Sequence, residues 1–206
     1  LAVLGCQSLI DSEGPPALVF DIGGGSTELI LVTRGARGEA VIQGWTSVPW
    51  GVVSLTETEP HDLSESQRLL AYERMRARVS EHLVNFRANV ERVAPGPLQL
   101  LGTSGTITTL ASVDMGLAGY DRRLVDGCMV TSAAMRAISA DLAAKSPAER
   151  ALQPCIGHDR ADLVVAGCAI LEAILDAWPA ETIRVADRGI REGILRTLIA
   201  RDGGRG

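Results

Sequence analysis

A glycine-rich turn between two apolar strands carries the residues best suited to chemistry in this chain of 206 residues. Residues 17–32 are ALVFDIGGGSTELILV: an apolar strand, an acid, three glycines, two hydroxyl residues, a second acid and more strand. Glycine lacks a Cβ atom, so consecutive glycines can adopt left-handed backbone angles and bring several N–H groups close to one anion. The residues predicted to bind phosphate here are Gly23, Gly24, Gly25, Ser26 and Thr27.

Two acidic residues, Asp21 and Glu28, flank this turn. Carboxylates are hard oxygen ligands suited to Mg²⁺, which keeps several waters while it bridges substrate phosphates. We therefore predict that Asp21 and Glu28 bind Mg²⁺ or another divalent cation, or orient its waters. Glu28 is also the only acid just after the turn, so a role as catalytic base stays open. The alternative is a β-turn without a ligand, but such a turn gains nothing from an acid at the end of an apolar strand.

The residues after the turn distinguish it from two better-known phosphate loops. Residues 29–33 form a β-type run, so the turn is predicted to join two antiparallel strands. A Walker loop requires Gly-Lys-Ser/Thr before a helix, and a dinucleotide fingerprint requires Gly-x-Gly-x-x-Gly before a helix. The sequence contains neither pattern.

A second segment rich in glycine and hydroxyl residues, GTSGTITT at 102–109, follows a predicted strand and opens a predicted helix. Backbone amides at a helix N-terminus attract anions. Alone, this segment is better explained as an N-capped helix after a flexible turn. Paired with the first turn, it is a candidate second wall of one phosphate cleft. Its predicted phosphate-binding residues are Gly102, Ser104, Gly105 and Thr106.

Composition indicates a globular protein with one main domain. The chain is 46% hydrophobic and 22% charged, and its length is sufficient for a full core. The net charge of −5 argues against general binding to nucleic acid or to a membrane surface, which require a basic face. No apolar stretch is long enough for a membrane span, and the 4 cysteines show no CxxC spacing. We therefore expect a cytoplasmic protein with reduced thiols.

The pattern of apolar residues predicts an α/β fold with a mixed sheet. Strands at about 17–22, 27–33 and 40–48 form an antiparallel meander. A capping box at residues 64–67 begins a long helix that ends at Pro95. The remaining predicted elements are a strand at 98–101, helices at 107–113, 131–144 and 160–177, a strand at 182–186 and a terminal helix at 188–200. This order implies a meander on one side of the sheet and parallel strands with crossover helices on the other.

Three blocks of the sequence closely resemble successive motifs of the exopolyphosphatase and guanosine pentaphosphate phosphohydrolase family. They are DIGGGSTEL at 21–29, GTSGTITTLA at 102–111 and RVADRGIREGIL at 184–195. Two further segments are similar to intermediate landmarks of the family, PWGVVSLTE at 49–57 and RAD at 160–162. The resemblance covers nearly the whole chain. It implies an actin-like, ribonuclease H-like fold and Mg²⁺-dependent hydrolysis of the terminal phosphoanhydride of inorganic polyphosphate or of guanosine pentaphosphate.

The same resemblance implies roles for residues and a missing part. Gly23 to Thr27 would form the phosphate loop, and Asp21 and Glu28 would lie at the metal. The family has a preceding first domain with its own phosphate loop, and a general-base glutamate in a Glu-x-Arg type segment near the domain junction. This sequence has neither pattern. We therefore expect residues 17–206 to be the second actin-like domain, with a helix and linker from the domain junction at 1–16. Such a chain would be nearly inactive alone, and the intact protein is expected to be a homodimer.

Two other functions remain open from the sequence. An actin-like kinase or ATPase would bind ATP across the same fold, with an adenine pocket around 102–110. A non-catalytic module would mainly provide dimer contacts, through residues 72–93 or 160–177. Five arginines are possible contacts for a polyanion, although each alone is better explained as a surface or structural charge: Arg122, Arg123, Arg160, Arg188 and Arg191.

Overall fold

A computed structural model of the chain describes residues 7–35, 39–60 and 64–187. Within them one sheet contains the strands β1 (Ala17–Ile22), β2 (Thr27–Arg34), β3 (Ala40–Val48), β4 (Gln99–Thr103), β5 (Met129–Thr131) and β6 (Thr182–Ala186). The helices are α1 (Val52–Thr56), α2 (Glu65–Val93), α3 (Gly105–Asp114), α4 (Arg122–Val125), α5 (Ser132–Ala144), α6 (Pro147–Ala151) and α7 (Leu163–Ala177). Short 3₁₀ turns occur at Gln7–Leu9 and His158–Arg160. The predicted terminal helix at 188–200 lies outside the described residues.

The strands lie in the order β3-β2-β1-β4-β6-β5. The pairs β1–β2 and β2–β3 are antiparallel, whereas β4 is parallel to both β1 and β6. This confirms the predicted meander with parallel strands beside it. The short strand β5, antiparallel to β6, was not predicted. Its last residue, Thr131, is also the N-cap of α5, so the strand passes directly into a helix.

The main core lies between one face of the sheet and the helices α2 and α7. Leu18, Phe20 and Leu29 on that face are fully buried. The long helix begins as predicted, because the Ser64 N–H donates to Gln67 Oε1 at 2.9 Å and satisfies one of the unpaired groups before the helix. Residues 164–175 of α7 are buried within this chain. This helix is therefore part of the core, which removes it as the exposed dimer surface considered from the sequence.

The pairing of β1 with β4 brings two loops together at one edge of the sheet. The strands β1 and β4 are parallel, so the segments that follow them meet at the same edge of the sheet. These segments are the glycine turn after β1 and the Ser104 loop before α3.

None of the helices in the described part of the chain combines the length and apolar character needed to span a bilayer.

Candidate active site

A row of polar side chains crosses the end of the sheet. Glu28 in β2 lies directly opposite Asp21 in β1 and Ser47 in β3, and Asp21 is also paired with Thr103 in β4. Directly paired residues share a sheet face, so the two predicted metal ligands lie side by side. The preceding row on this face is apolar and consists of Trp45, Ile30, Val19 and Leu101.

The carboxyl group of Asp21 is held in an unfavourable environment for its charge. Burial, and to a smaller extent the neighbouring Glu28 carboxylate, raises the pKa of Asp21 to about 6. A cation at this position would stabilise both ionised carboxylates. No cluster of three His, Cys, Asp or Glu side chains suited to a metal occurs among the described residues. Two carboxylates with open positions for water and phosphate oxygen fit the way Mg²⁺ binds in proteins.

Two hydroxyl groups donate to one oxygen of Glu28. The Ser26 Oγ donates to Glu28 Oε1 at 2.6 Å, and the Ser47 Oγ donates to the same oxygen at 3.1 Å. Within the described residues no hydrogen bond engages Glu28 Oε2. The hydroxyl of Ser26, predicted to bind phosphate, is therefore bound to a carboxylate here. Sequence analysis did not identify Ser47.

The first residues of α1 anchor the glycine turn. The carbonyl oxygens of residues 23–25 accept hydrogen bonds from the Val52 N–H at 2.9 Å, the Val53 N–H at 2.8 Å and the Ser54 Oγ at 3.2 Å. A further hydrogen bond within the turn joins the Gly23 N–H to the carbonyl of residue 26 at 2.9 Å. Three consecutive carbonyl groups are thus fixed toward α1, which defines the orientation of the peptide planes.

The anchored carbonyls leave a set of N–H groups on the opposite side of the turn. All described peptide bonds are trans, so the N–H of each peptide points away from its own carbonyl. The N–H groups in question belong to Gly24, Gly25 and Ser26, and none donates to a protein atom in the part of the chain that the structure describes. Consecutive unpaired donors in a turn form a concave site for an anion.

The left-handed angles predicted for these glycines are not present. Positive φ angles among the described glycines occur at Gly96, Gly116, Gly127 and Gly157. Close packing requires glycine at Gly51, where a Cβ atom would lie 2.4 Å from the carbonyl oxygen of Gly23. A Cβ atom on Gly23 would lie 2.9 Å from the carbonyl oxygen of Ser26. A Cβ atom on Gly24 would make only an ordinary contact with Val53 at 3.6 Å, and one on Gly25 would meet no atom within 4 Å. The expectation of left-handed angles was therefore wrong, and contact between the turn and α1 requires glycine only at Gly51.

Ser104 connects β4 to α3 and has an unusual backbone conformation. Its φ is 136°, a value that residues other than glycine rarely adopt. Its Oγ lies 3.5 Å from the N–H of Ile107, a long capping contact. The N–H groups of Gly105 and Thr106 donate to no protein atom within the described residues. The start of α3 therefore offers two further N–H donors at the same sheet edge.

The two segments line one open cleft of about 170 Å³. Gly23 and Gly24 contribute from the turn, and Gly105 and Thr106 contribute from the start of α3. Arg160 lines the same cleft, and its Nη1 donates to Thr109 Oγ1 at 2.9 Å. The remaining lining is apolar: Ile22, Val52, Leu163 and Val164. The structure thus brings both predicted phosphate loops together with one arginine.

Two residues that were predicted to bind phosphate, Gly102 and Thr27, stabilise the fold instead. Gly102 lies within β4, where a Cβ atom would be 2.6 Å from the ring of Phe20, so this glycine leaves room for the core. Thr27 is buried in β2, and its Oγ1 donates to the carbonyl of Trp50 at 2.8 Å. Neither residue lines the cleft.

Of the arginines predicted to contact a polyanion, Arg160 lines the cleft, whereas Arg122 and Arg123 do not. Arg122 pairs with Asp187 at 3.0 Å, and Arg123 pairs with Asp121 at 2.9 Å, so both have local carboxylate partners outside the cleft. The predictions for Arg188 and Arg191 lie outside the described residues.

The fold and site define an actin-like α/β domain with a cleft at one sheet edge, between the glycine turn and the start of α3. The chain matches the model of the Ppx/GppA phosphatase family over residues 1–201 and belongs to that family. The predicted family and fold class are therefore confirmed.

Individual relatives agree with this assignment. Exopolyphosphatase 2 of Mycobacterium tuberculosis is 27% identical over 206 residues, covering 96% of this chain and 60% of that protein. The crystal structure of the Aquifex aeolicus Ppx/GppA family member matches with a TM-score of 0.80 and 25% identity, over 98% of this chain and 61% of that one. An exopolyphosphatase from Cytophaga hutchinsonii matches with a TM-score of 0.78 and 25% identity, over 97% of this chain and 62% of that one. This chain spans about three fifths of the length of these relatives.

Proposed function

We propose that this chain provides the phosphate- and metal-binding wall of a phosphoanhydride hydrolase that acts on inorganic polyphosphate or guanosine pentaphosphate. The observation that carries the proposal is that Asp21 and Glu28 face each other on the two strands joined by the turn, whose N–H groups at residues 24–26 have no partner among the described residues. The names of relatives as exopolyphosphatases support polyphosphate as the substrate class.

Different residues have different roles in phosphoryl transfer to water. Such a reaction needs the charge of the transferring group neutralised and the water held in line with the leaving oxygen. The N–H groups of residues 24–26 bind the terminal phosphate, and Asp21 and Glu28 hold Mg²⁺. The bound ion supplies charge neutralisation at the phosphate oxygens. The N–H groups at the start of α3 and the Arg160 guanidinium bind the phosphates that follow along the chain.

Glu28 is better suited to the metal than to the role of general base. Its Oε1 already accepts two hydroxyl hydrogen bonds, which fix the carboxylate in place and leave it less free to move a proton from water. The general base then comes from the part of the polypeptide that corresponds to the first domain of the family. Because loss of a general base commonly costs about 10² to 10⁴-fold in rate, this chain alone is nearly inactive.

The kinase or ATPase alternative requires an adenine pocket around 102–110. Thr106 packs directly against Gly167 in α7, where a Cβ atom would lie 2.4 Å from Thr106 Oγ1. This contact closes the space at Gly167 only, and the open space between the two helices is the cleft lined by Gly105, Thr106, Leu163 and Val164. The donors at this cleft, the Arg160 guanidinium and the N–H groups of Gly105 and Thr106, favour a phosphate chain over an adenine ring at this position.

Calorimetric titration of the chain with tripolyphosphate and with ATP, each with and without Mg²⁺, tests the proposal. We expect tripolyphosphate to bind more tightly than ATP and to require Mg²⁺ for full affinity. Glu28→Gln should abolish the Mg²⁺ enhancement, whereas Glu91→Gln, at an exposed carboxylate paired with Arg87 in α2, should not. Preferential ATP binding, or Mg²⁺-independent binding of both ligands, would contradict the proposal. Phosphate release at the rate of a full-length relative would contradict the claim of inactivity.

A further inference from the structure

We infer that Ser47 is a positioning residue of the metal site, which orients the Glu28 carboxylate so that a single oxygen, Oε2, faces the cation. The inference rests on the proposed function, because it concerns how this chain holds the divalent ion. It concerns a residue that lies outside the glycine turn and outside the lining of the cleft.

The contacts of Glu28 support this role. Oε1 accepts hydrogen bonds from two hydroxyl groups on different elements, the Ser26 Oγ at 2.6 Å and the Ser47 Oγ at 3.1 Å. These two donors occupy the hydrogen-bonding capacity of Oε1, since each carboxylate oxygen has about two lone-pair sites. Oε2 accepts no hydrogen bond from the described residues. The carboxylate is therefore prepared to bind a cation through one oxygen.

The position of Ser47 is fixed by the sheet. Ser47 lies opposite Glu28 in the β2–β3 pairing, and its hydroxyl makes no other hydrogen bond among the described residues. Side chains in a directly opposed pair are held about 4.5–5.5 Å apart at Cβ by the backbone ladder. The orientation of Glu28 thus depends on a rigid neighbour and not only on the turn that carries Ser26.

A carboxylate with one free oxygen has a consequence for metal choice. Mg²⁺ requires near-ideal octahedral geometry and takes one oxygen from each carboxylate, whereas Ca²⁺ accepts bidentate carboxylates in larger and more flexible shells. Holding Oε1 away from the metal disfavours bidentate binding. Ser47 therefore contributes both to the affinity for Mg²⁺ and to the preference for Mg²⁺ over Ca²⁺.

The test compares the wild-type chain with Ser47→Ala, Ser47→Thr and a matched control. Thr33→Ala is the control, because Thr33 Oγ1 accepts a hydrogen bond from Gln43 Nε2 at 2.8 Å on the same two strands, β2 and β3, but away from Glu28. The Kd values for Mg²⁺ and Ca²⁺ are measured by calorimetry at saturating tripolyphosphate, and melting temperatures are measured in EDTA.

Outer partners of metal ligands commonly contribute about 10 to 100-fold to metal affinity. We expect Ser47→Ala to raise the Kd for Mg²⁺ by about 10-fold and the Kd for Ca²⁺ by less. Ser47→Thr, which keeps the hydroxyl, should stay close to wild type, and Thr33→Ala should leave both Kd values unchanged. The melting temperature of Ser47→Ala in EDTA should equal that of the wild type, because Ser47 is exposed.

The outcomes separate this inference from the proposed function. Failure of the wild-type chain to bind Mg²⁺ with tripolyphosphate would overturn the proposed function, and the role of Ser47 with it. Mg²⁺ binding by the wild type with the same Kd in Ser47→Ala would overturn the role of Ser47 alone. An equal loss of Mg²⁺ and Ca²⁺ affinity would retain the positioning role but overturn the contribution to metal choice.

Discussion

Asp21 and Glu28 lie directly opposite each other on the antiparallel strands β1 and β2, with both side chains on the same face of the sheet. Like charges in such a pair destabilise a sheet. The effect contributes, after burial, to the raised pKa of Asp21. Functional sites often contain pairs of like charges that perturb each other's pKa. A bound cation would remove the repulsion between Asp21 and Glu28.

Without a divalent cation, we expect Asp21 to make the chain less stable as the pH rises from about 4 to about 7. The folded state holds the Asp21 proton with a pKa of about 6, against 3.8 for the ordinary side chain. Folding therefore takes up a proton between these values, and the free energy of unfolding falls with rising pH. Asp21→Asn should remove this dependence and raise the free energy of unfolding at neutral pH by on the order of 2 kcal/mol.

Urea denaturation in EDTA at about pH 4.5 and about pH 7.5 measures both effects. Asp141→Asn is the control, since its side chain is 56% exposed on α5. A wild-type chain whose stability increases between these pH values, with no change in slope in Asp21→Asn, would show that Asp21 ionises normally.

Gly51→Ala should disrupt the glycine turn from outside it. The added Cβ atom would lie 2.4 Å from backbone atoms of Gly23 and Gly24, so α1 must move away from the carbonyls that it anchors. We expect at least a 10-fold loss of tripolyphosphate affinity and a lower melting temperature, because overpacking typically costs about 1–3 kcal/mol.

Gly119→Ala is the matched control for this prediction, because a Cβ atom there meets no atom within 4 Å. Calorimetry and thermal melting are run on both variants. Wild-type phosphate affinity in Gly51→Ala would mean that α1 does not orient the turn.

The facing acids follow from local sequence, whereas other parts of the site do not. A turn closed between Gly23 and Ser26 places Ile22 opposite Thr27 and therefore Asp21 opposite Glu28, so the hairpin pattern was sufficient. The partner of Glu28 on β3 could not be predicted in this way. A register shift between Leu31 and Val32 intervenes, and it changes which β3 residue faces each β2 residue.

Tertiary contacts explain the remaining differences from the sequence predictions. Gly51 is required by contact with the glycine turn, which lies more than twenty residues earlier in the chain, so no local pattern around Gly51 indicates this contact. The strand β5 has 3 residues and is held by pairing with β6 about fifty residues later. Such a short segment has no periodicity of its own that would indicate a strand.

Arg160→Gln should weaken polyphosphate binding without unfolding the protein. The guanidinium lines the cleft and is exposed, so its removal takes a charge from the ligand site and not from the core. Charged hydrogen bonds contribute about 1.5–3 kcal/mol, which corresponds to a loss of affinity of about 10-fold or more. Arg123→Gln is the control, because this side chain is 88% exposed and pairs with Asp121.

Titration with tripolyphosphate at low and high salt measures this effect. The affinity of the wild type should fall more steeply with salt than that of Arg160→Gln, since the variant has one cation fewer near the ligand. Equal affinities for the two arginine variants would show that Arg160 is a structural partner of Thr109 only.

Ser104→Gly should stabilise the chain, whereas Ser104→Ala should not. The φ of 136° places Ser104 where a side chain is strained, at a cost of about 1–3 kcal/mol that glycine avoids. Both variants remove the capping hydrogen bond, which is weak because the Ser104 Oγ lies 3.5 Å from the Ile107 N–H. Melting temperatures should therefore increase in the order Ser104→Ala, wild type, Ser104→Gly. A lower melting temperature for Ser104→Gly than for the wild type would show that the capping hydrogen bond outweighs the strain. If tripolyphosphate affinity also falls in Ser104→Gly, the strained conformation serves to hold the N–H groups of Gly105 and Thr106 in place for the ligand.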